Sequence, residues 1–384
     1  MHYQYITTND ALRSVCESAS TKAAVALDTE FVRTKTLTPH LGLVQLYDGN
    51  QLALIDPRAV TDLTPLQALL ENPSVIKVLH ACSEDLEAFR SGLGTIPSPV
   101  FDTQFAAGLL DLGPSLGYAR LVELLCDTVL DKGESRTDWL ARPLSEQQLN
   151  YAANDVLYLL PAYEKLARDI DDVGKRDWVY QEVAFLAEKK QAVIPYDKAY
   201  LQIKNNWRLS PRQLTVLQAL AGWRLKVAQQ KDLALNFVFK EGHLFDIAQQ
   251  LPASKMALAG LHGVNPHALR RYGETLLDLV AEALEAFDAQ SEAERLPRVL
   301  RLIDVPEYKK TLAALKALAS ELADQHNVAI EMMASKKQLN QLLKWYWFKQ
   351  DETRAIGLRP DVLSGWRRAL FEPGVVAILG QPDE

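Results

Sequence analysis

Asp28 and Glu30 stand two residues apart at the end of an apolar run, Ala23-Ala24-Val25-Ala26-Leu27. Such a run reads as a buried strand, on which side chains two apart point to the same face. Two carboxylates are therefore held side by side, and each would have its pKa raised unless a cation sat between them. An all-oxygen donor set suits magnesium or manganese. Asp85 lies in the first turn of a predicted helix directly after a predicted strand, the usual place for functional side chains in an open α/β sheet. Tyr151 and Asp155 are four apart on a predicted helix and share one face. Four acids and one phenol thus come from three kinds of element. The chemistry open to them is metal-assisted phosphodiester hydrolysis.

The elements that position these groups can be read outward from them. Residues 1 to about 60 read as strands, at 25–31, 41–47 and 51–56, with Asp48-Gly49-Asn50 as a hairpin turn. A helix is expected from Thr64 to Leu70, stopped by Asn72-Pro73, then a strand at 75–80 and a helix opening at Ser83. Strands followed by strand–helix alternation give a mixed-sheet α/β domain. Beyond it the pattern turns helical. One helix opens at Asp102, and a long one runs from Ser145, with Gln148 completing a capping box, to about Ile170. A connecting helix spans 178–190, and Ile194-Pro195-Tyr196-Asp197 reads as an exposed linker. Ser210-Pro211 caps a further helix over 213–229, followed by short helices broken at Pro252, Gly260 to Gly263 and Pro266. A second helical block of similar length begins near Arg295, which points to a duplicated module.

With 384 residues, 48% hydrophobic and 24% charged, the chain is long enough for two or three packed domains. Three cysteines without metal-ligand spacing argue for a reducing compartment. No basic-then-apolar leader and no run of about 20 apolar residues is visible, so a cytoplasmic, non-membrane protein is expected. The net charge of −7 is uneven: residues 1–170 hold 13 basic and 22 acidic residues, whereas 207–280 hold 9 and 5. An acidic, metal-dependent domain beside a mildly basic binding module fits that distribution, as does ordinary surface variation.

Taken together, Asp28-Thr29-Glu30-Phe31, His80-Ala81-Cys82-Ser83-Glu84-Asp85-Leu86 and Tyr151-Ala152-Ala153-Asn154-Asp155 resemble the three motifs of the DEDD superfamily of 3′→5′ exonucleases, in its tyrosine subclass. The likeness is to the bacterial ribonuclease D family. Phe101 to Gln104, Ser115 to Tyr118 and Asp138 to Leu144 share its texture, and residues 207–284 and 293–375 are similar to first and second HRDC modules. The resemblance implies a ribonuclease H-like exonuclease domain (1–170), a connector (171–206) and two all-α HRDC-type domains. It implies an enzyme that releases nucleoside 5′-monophosphates from RNA 3′ ends, with tRNA precursors as substrate. The catalytic set would be Asp28, Glu30, Asp85, Tyr151 and Asp155, with the four acids as ligands of two divalent cations, Mg2+ or Mn2+, and Glu84 not a ligand. Asp28 would bridge the two ions, Glu30 and Asp155 would complete one site and Asp85 the other, largely through water. Tyr151, with an unperturbed pKa of about 10, is a poor base at neutral pH, and orienting the attacking water is the role expected of it. One departure is visible: Leu37 stands where the family leads one to expect an aromatic residue.

The same acids would serve a DNA exonuclease equally well. A non-catalytic nucleic-acid-binding adaptor is disfavoured by four converging carboxylates. Phe31 and His80 flank the acids as candidate substrate contacts, with core packing and a satisfied strand-end histidine as the competing roles. Trp139 and Arg142 are expected to be structural, His262-Gly263 a tight turn, and Trp345 to Phe348 core. Arg270-Arg271 and Lys336-Lys337 are phosphate contacts or solvated faces.

Overall fold

The computed structural model describes residues 2–130, 137–348 and 350–382. A six-stranded sheet of order β1-β4-β3-β2-β5-β6 organises the N-terminal half, from β1 (Gln4–Ile6), β2 (Ala24–Val32), β3 (His40–Tyr47), β4 (Leu52–Ile55), β5 (Ile76–Leu79) and β6 (Val100–Asp102). β2 is central. It runs antiparallel to β3, placing Asp28 opposite Gln45 and Glu30 opposite Leu43, and parallel to β5. The acids therefore sit at the carboxyl end of an interior strand, and the turn carrying Asp85 leaves the carboxyl end of its neighbour. That is the edge at which open α/β sheets form clefts.

One face of the sheet is covered by α1 (Asn9–Ala19), α2 (Thr64–Glu71) and α3 (Ser83–Leu93), with Leu12, Leu66, Leu86 and Phe89 buried against Val25, Leu27 and Val44. After α4 (Thr103–Leu109) and α5 (Tyr118–Cys126), α6 (Glu146–Leu157) covers the other face, where Ala152, Ala153 and Val156 meet Ala26, Leu43 and Leu54. Small residues on α6 bring its backbone close to the sheet, which lets its short acid reach the strand acids. The Ser145–Gln148 capping box is formed as the sequence leads one to expect.

Two expectations are corrected here. Residues 1–60 are not all strand, because α1 intervenes, capped by Thr8 and burying Leu12, Val15, Cys16 and Ala19 at helical spacing. The long helix from Ser145 does not run through to Ile170. It ends at Leu157 and a new helix, α7 (Leu159–Asp172), begins after Tyr158. Pro161 is the cause: it lacks an amide hydrogen, and its ring would collide with the Leu157 carbonyl in a continuous helix.

The turn around Trp139 locks onto the sheet. A Cβ on Gly42 would lie 2.6 Å from the Trp139 carbonyl oxygen, so only glycine permits this approach. Arg142 grips the buried Asp56 with Nε at 2.6 Å and Nη2 at 2.7 Å, and also donates to the carbonyls of Gly42 and Trp139. Burial works against the Asp56 anion, but Arg142 and the Tyr5 hydroxyl outweigh it and hold the carboxyl below its ordinary range. Trp139 and Arg142 are structural, as the sequence reading has them. Arg142→Ala leaves a buried carboxylate without its cation and is expected to destabilise the fold by roughly 3–5 kcal/mol. Urea denaturation checks this; an unchanged midpoint would remove the role assigned to the pair.

The C-terminal half is all helix. α8 (Arg176–Gln191) leads to a 3-10 segment (Tyr196–Gln202) whose Ala199, Tyr200 and Leu201 are buried. The linker expected at 194–197 is exposed at Pro195, Tyr196 and Asp197, and the burial begins just past it; its backbone nonetheless runs close to α9 (Pro211–Lys231), where a Cβ on Gly222 would lie 2.8 Å from the Tyr196 carbonyl. There follow α10 (Leu235–Val238), α11 (Glu241–Gln250), α12 (Lys255–Ala259) and α13 (Pro266–Ala289). The rhythm of one long helix, one of four residues, a medium one, a short one and a closing one then recurs in α14 (Tyr308–His326), α15 (Ile330–Met333), α16 (Lys336–Trp347), α17 (Glu352–Ala355) and α18 (Arg367–Leu379). The first block has its own core. The second shares a core with the catalytic half, joining Phe101, Leu109, Ile170 and Val179 to Leu315, Met333, Val362 and Phe371. Trp178 stacks on Trp366 at 4.3 Å between ring centroids. No described helix is long and apolar enough to cross a membrane.

Candidate active site

Asp28, Glu30 and Asp155 present carboxylate oxygens that all lie within 4.8 Å of one another. Strand alternation aims the first two out of β2, and α6 brings the third across its small-residue face. Asp85 stands beside this trio but turns an oxygen to the Thr29 hydroxyl, which points to the opposite side of β2 from its two acidic neighbours. The adjacent Glu84 is exposed and pairs with Arg33, which also binds Glu87. The ion pair draws Glu84 outward and leaves Asp85 as the buried member.

The turn before Asp85 is held by Asp102, the buried cap of α4. Its two oxygens accept from the Ala81 and Cys82 amides at 3.1 and 2.9 Å, and from the Gln104 and Phe105 amides at 2.8 and 3.2 Å. Ala81 has φ +56°, a conformation that costs a residue with a Cβ and persists only where the surroundings enforce it. Asp102 supplies that enforcement. The sequence reading has this residue as a helix start within a family-like stretch, and assigns it no part in holding the turn.

Electrostatics set the character of the cluster. Burial, reinforced by Asp85, Asp155 and Glu30, pushes Asp28 well above the ordinary carboxylate range. Burial and the neighbouring aspartates raise Glu30 to about 9. Burial raises Asp85 and Asp155 to about 7, against the opposing hydrogen bonds of Thr29 and Tyr151. No cationic side chain among the described residues offsets the four, although elsewhere buried Asp56 has its arginine. A crowd of acids with only oxygen donors and no protein cation fits hard divalent ions. Tyr151 is pushed far above its usual value by burial and then by Asp155, Glu30 and Asp28, so it remains a protonated phenol, within hydrogen-bonding reach of Asp155.

A cavity of about 160 Å3 beside the acids is lined by Leu27, Asp28, His80, Tyr118, Tyr151, Asp155 and Leu159. His80 bonds Thr103 Oγ1 through Nδ1 at 2.9 Å, and burial lowers its pKa, which keeps the ring neutral at pH 7. Its ring tilts against Tyr118 at 5.7 Å between centroids. Tyr118, whose hydroxyl donates to the Asn154 carbonyl at 2.9 Å, is a cavity residue that the motif reading leaves out. Its place in the site comes from a contact across 36 residues of chain. Phe31 is half-buried and packs at the edge of the sheet core, just past a register shift between Glu30 and Phe31.

The loop after β2 reaches the first helical block. Asp232, at the end of α9, accepts from the Thr38 amide and hydroxyl at 2.9 and 2.8 Å and bonds the His40 ring at 2.7 Å. The Ala234 amide donates to the Lys35 carbonyl at 2.8 Å, and Leu37 packs against the core of that block. An aliphatic residue at position 37 is explained by this contact.

Comparison with known proteins agrees with this architecture. Residues 3–171 match a 3′-5′ exonuclease family model, residues 213–280 an HRDC domain, and residues 306–375 the C-terminal HRDC domain of ribonuclease D. Ribonuclease D of Cronobacter turicensis is 44% identical over 375 residues, covering 97% of this chain and 99% of the relative. Ribonuclease D of Escherichia coli strain K12 is 44% identical over 372 residues, covering 97% and 96%. The crystal structure of Escherichia coli RNase D, an exoribonuclease involved in structured RNA processing, matches with TM-score 0.92 and 43% identity over 100% of both chains. The catalytic core of RRP6 from Trypanosoma brucei shares the fold, with TM-score 0.60 and 22% identity over 74% of this chain and 80% of that one. This chain belongs to the ribonuclease D family of 3′→5′ exoribonucleases.

Proposed function

We propose that the protein shortens structured RNA from its 3′ end in the cytoplasm, tRNA precursors foremost, releasing nucleoside 5′-monophosphates with two divalent ions, Mg2+ or Mn2+. The observation that carries the reading is the convergence of Asp28, Glu30 and Asp155 within 4.8 Å, beside Asp85, with no cationic side chain of the described residues among them. The RNA class rests on the Escherichia coli relative, described as acting in structured RNA processing.

Asp28 is the candidate shared ligand, with Glu30 and Asp155 completing one site and Asp85 the other. When bound, the ions lower the pKa of the attacking water and stabilise the developing charge on the leaving oxygen. The chain supplies position. Asp28 and Glu30 are fixed by β2, and Asp85 by Thr29 and the Asp102-held turn. The Tyr151 phenol, protonated at neutral pH, is placed to hold the nucleophile in line by a hydrogen bond rather than to take its proton. His80, Tyr118 and Phe31 surround the approach, where a terminal base could be stacked or contacted. Tyr151→Phe is expected to lower kcat about 100-fold with KM and metal affinity near wild type. Single-turnover kinetics test this; an unchanged rate would exclude the orienting role.

The whole reading is tested with a 3′-extended tRNA transcript and a matched single-stranded DNA, each labelled at the 5′ end. A metal-dependent ladder that shortens the RNA by one nucleotide at a time is expected. Shortening of DNA alone would overturn the substrate assignment, and binding without cleavage would overturn the enzymatic one.

A further inference from the structure

Gln45 is fully buried, and neither its Nε2 nor its Oε1 has a hydrogen-bond partner among the described residues. It stands in β3 between Asp28 of β2 and Leu54 of β4. Val44 and Leu46 on either side of it belong to the core under α1, α2 and α3, so alternation turns Gln45 to the other face, the one Asp28 occupies. That face carries Ala26, Leu43 and Leu54, and α6 lays Ala152, Ala153 and Val156 over them. Leucine or methionine would fill such a place. An amide sealed there without a partner costs stability, so folding does not explain the residue.

The acids show the complementary deficit. Asp85 takes the Thr29 hydroxyl and Asp155 the Tyr151 phenol. Asp28, the candidate shared ligand, is served by the Thr29 backbone, and no side-chain donor among the described residues reaches it. Asp28 and Gln45 are partners in the register of the antiparallel pair. Side chains directly opposite on such strands start about 5 Å apart at Cβ, against about 7–8 Å on the diagonal. Glu30, also without a side-chain donor, faces Leu43 and lies on that diagonal.

A carboxylate shared by two cations must keep both oxygens in fixed directions, and ligating carboxylates are themselves held by hydrogen bonds. Among four carboxylates acceptors are in excess, so a donor is what the site lacks. Neither end of the Gln45 amide is bonded, so no contact fixes which end faces Asp28. The carboxylate, which only accepts when ionised, selects Nε2.

We propose that Gln45 is a positioning residue for the metal site, whose Nε2 donates to the Asp28 carboxylate and holds it in the direction that two divalent ions need. The proposal rests on the two-ion reading of the four acids and adds to it a residue outside all three motifs. Gln45 touches neither substrate nor ion; it acts through Asp28. The amide is thus a cost to the metal-free fold and a gain to the metal-bound one.

The test compares the full-length wild type with Gln45→Met, which keeps the length of the side chain and removes both polar atoms. Without metal the variant is expected to melt at or above the wild-type temperature, because it loses an amide that has no partner. Its dissociation constant for Mn2+, measured by calorimetry in the absence of RNA, is expected to rise roughly 10- to 100-fold. In wild type carrying 15N in its glutamine side chains, the Gln45 amide, assigned by its absence from the variant, should move downfield as Mg2+ is added. If methionine does not pack, Gln45→Leu repeats both comparisons. A folded variant that binds Mn2+ as tightly as wild type would overturn the proposal, and so would a Gln45 resonance that Mg2+ leaves in place. A metal-free melting temperature well below wild type with unchanged Mn2+ affinity would make the amide a structural group and overturn it as well. Wild type that binds no Mn2+ would sink the two-ion reading and this proposal with it, whereas tight binding that the variant does not weaken sinks the proposal alone.

Discussion

Asp155→Asn is expected to reduce turnover at least 10³-fold, a barrier increase of about 4 kcal/mol, while leaving the protein folded. Asparagine keeps the shape of the side chain at the end of α6 but removes one negative charge from a trio whose oxygens lie within 4.8 Å of one another. The amide cannot replace a charged oxygen ligand, and its NH2 would face Asp28 and Glu30 as a donor. It would thus neutralise part of the repulsion that a divalent ion otherwise balances. The variant should therefore lose activity and yet be at least as stable as wild type in the absence of metal. Near-wild-type shortening of RNA by this variant would remove Asp155 from the catalytic set. Loss of activity accompanied by loss of fold would remove it too, as a structural residue.

Removing the metal has an equally large effect with a distinctive dependence on pH. EDTA should abolish turnover and turn the four acids into a liability. Burial and mutual repulsion raise Glu30 to about 9 and Asp85 and Asp155 to about 7 in the folded state, against about 4 in an unfolded chain. Between these values the folded protein holds more protons than the unfolded one, so stability falls as pH rises. The favourable contribution is complete below about pH 4 and is lost as pH climbs through 7 and on towards 9. With Mg2+ or Mn2+ the slope should reverse, because the ion binds the deprotonated acids and competes with protons. At 100 times its dissociation constant an ion stabilises by about 2.7 kcal/mol. For a domain of this size each kcal/mol moves Tm by roughly 2–4 °C. Melting curves at pH 6 and 8, with EDTA and with metal, check the sign directly. A metal-free protein that becomes more stable from pH 6 to 8 would contradict the placement of uncompensated acids.

Much of this is legible in the amino-acid sequence, for physical reasons that differ by element. Asp28 and Glu30 announce themselves because strand alternation is a strict period of two, and Tyr151 and Asp155 because four residues make about one helical turn. The capping box at Ser145 and the Ser210 cap before Pro211 are local chemistry and form as read, and at Ser210 Gln213 completes a box as well. The helix α1 escapes the sequence reading because its buried positions number only four, set among Ser, Glu and Arg, within a region dominated by strands. The break at Tyr158 is hidden in the sequence despite Pro161, because the apolar periodicity continues through it. Tyr118 and the bracing of the Asp85 turn by Asp102 depend on contacts between distant segments, which no local pattern encodes. The grip of Asp232 on residues 38–40 is of the same kind: a helix end nearly two hundred residues away fixes the loop after the catalytic strand. That loop carries the leucine that departs from the family pattern, and its partner explains why.

The central claim is that four acids from β2, the β5–α3 turn and α6 together hold two divalent ions. Anomalous diffraction from crystals soaked in Mn2+ tests it most directly. Two manganese peaks are expected, one ligated by Asp28, Glu30 and Asp155 and the other by Asp28 and Asp85, and both should weaken in Asp28→Asn. Manganese bound elsewhere, with these carboxylates unliganded in crystals that still degrade RNA, would contradict the account.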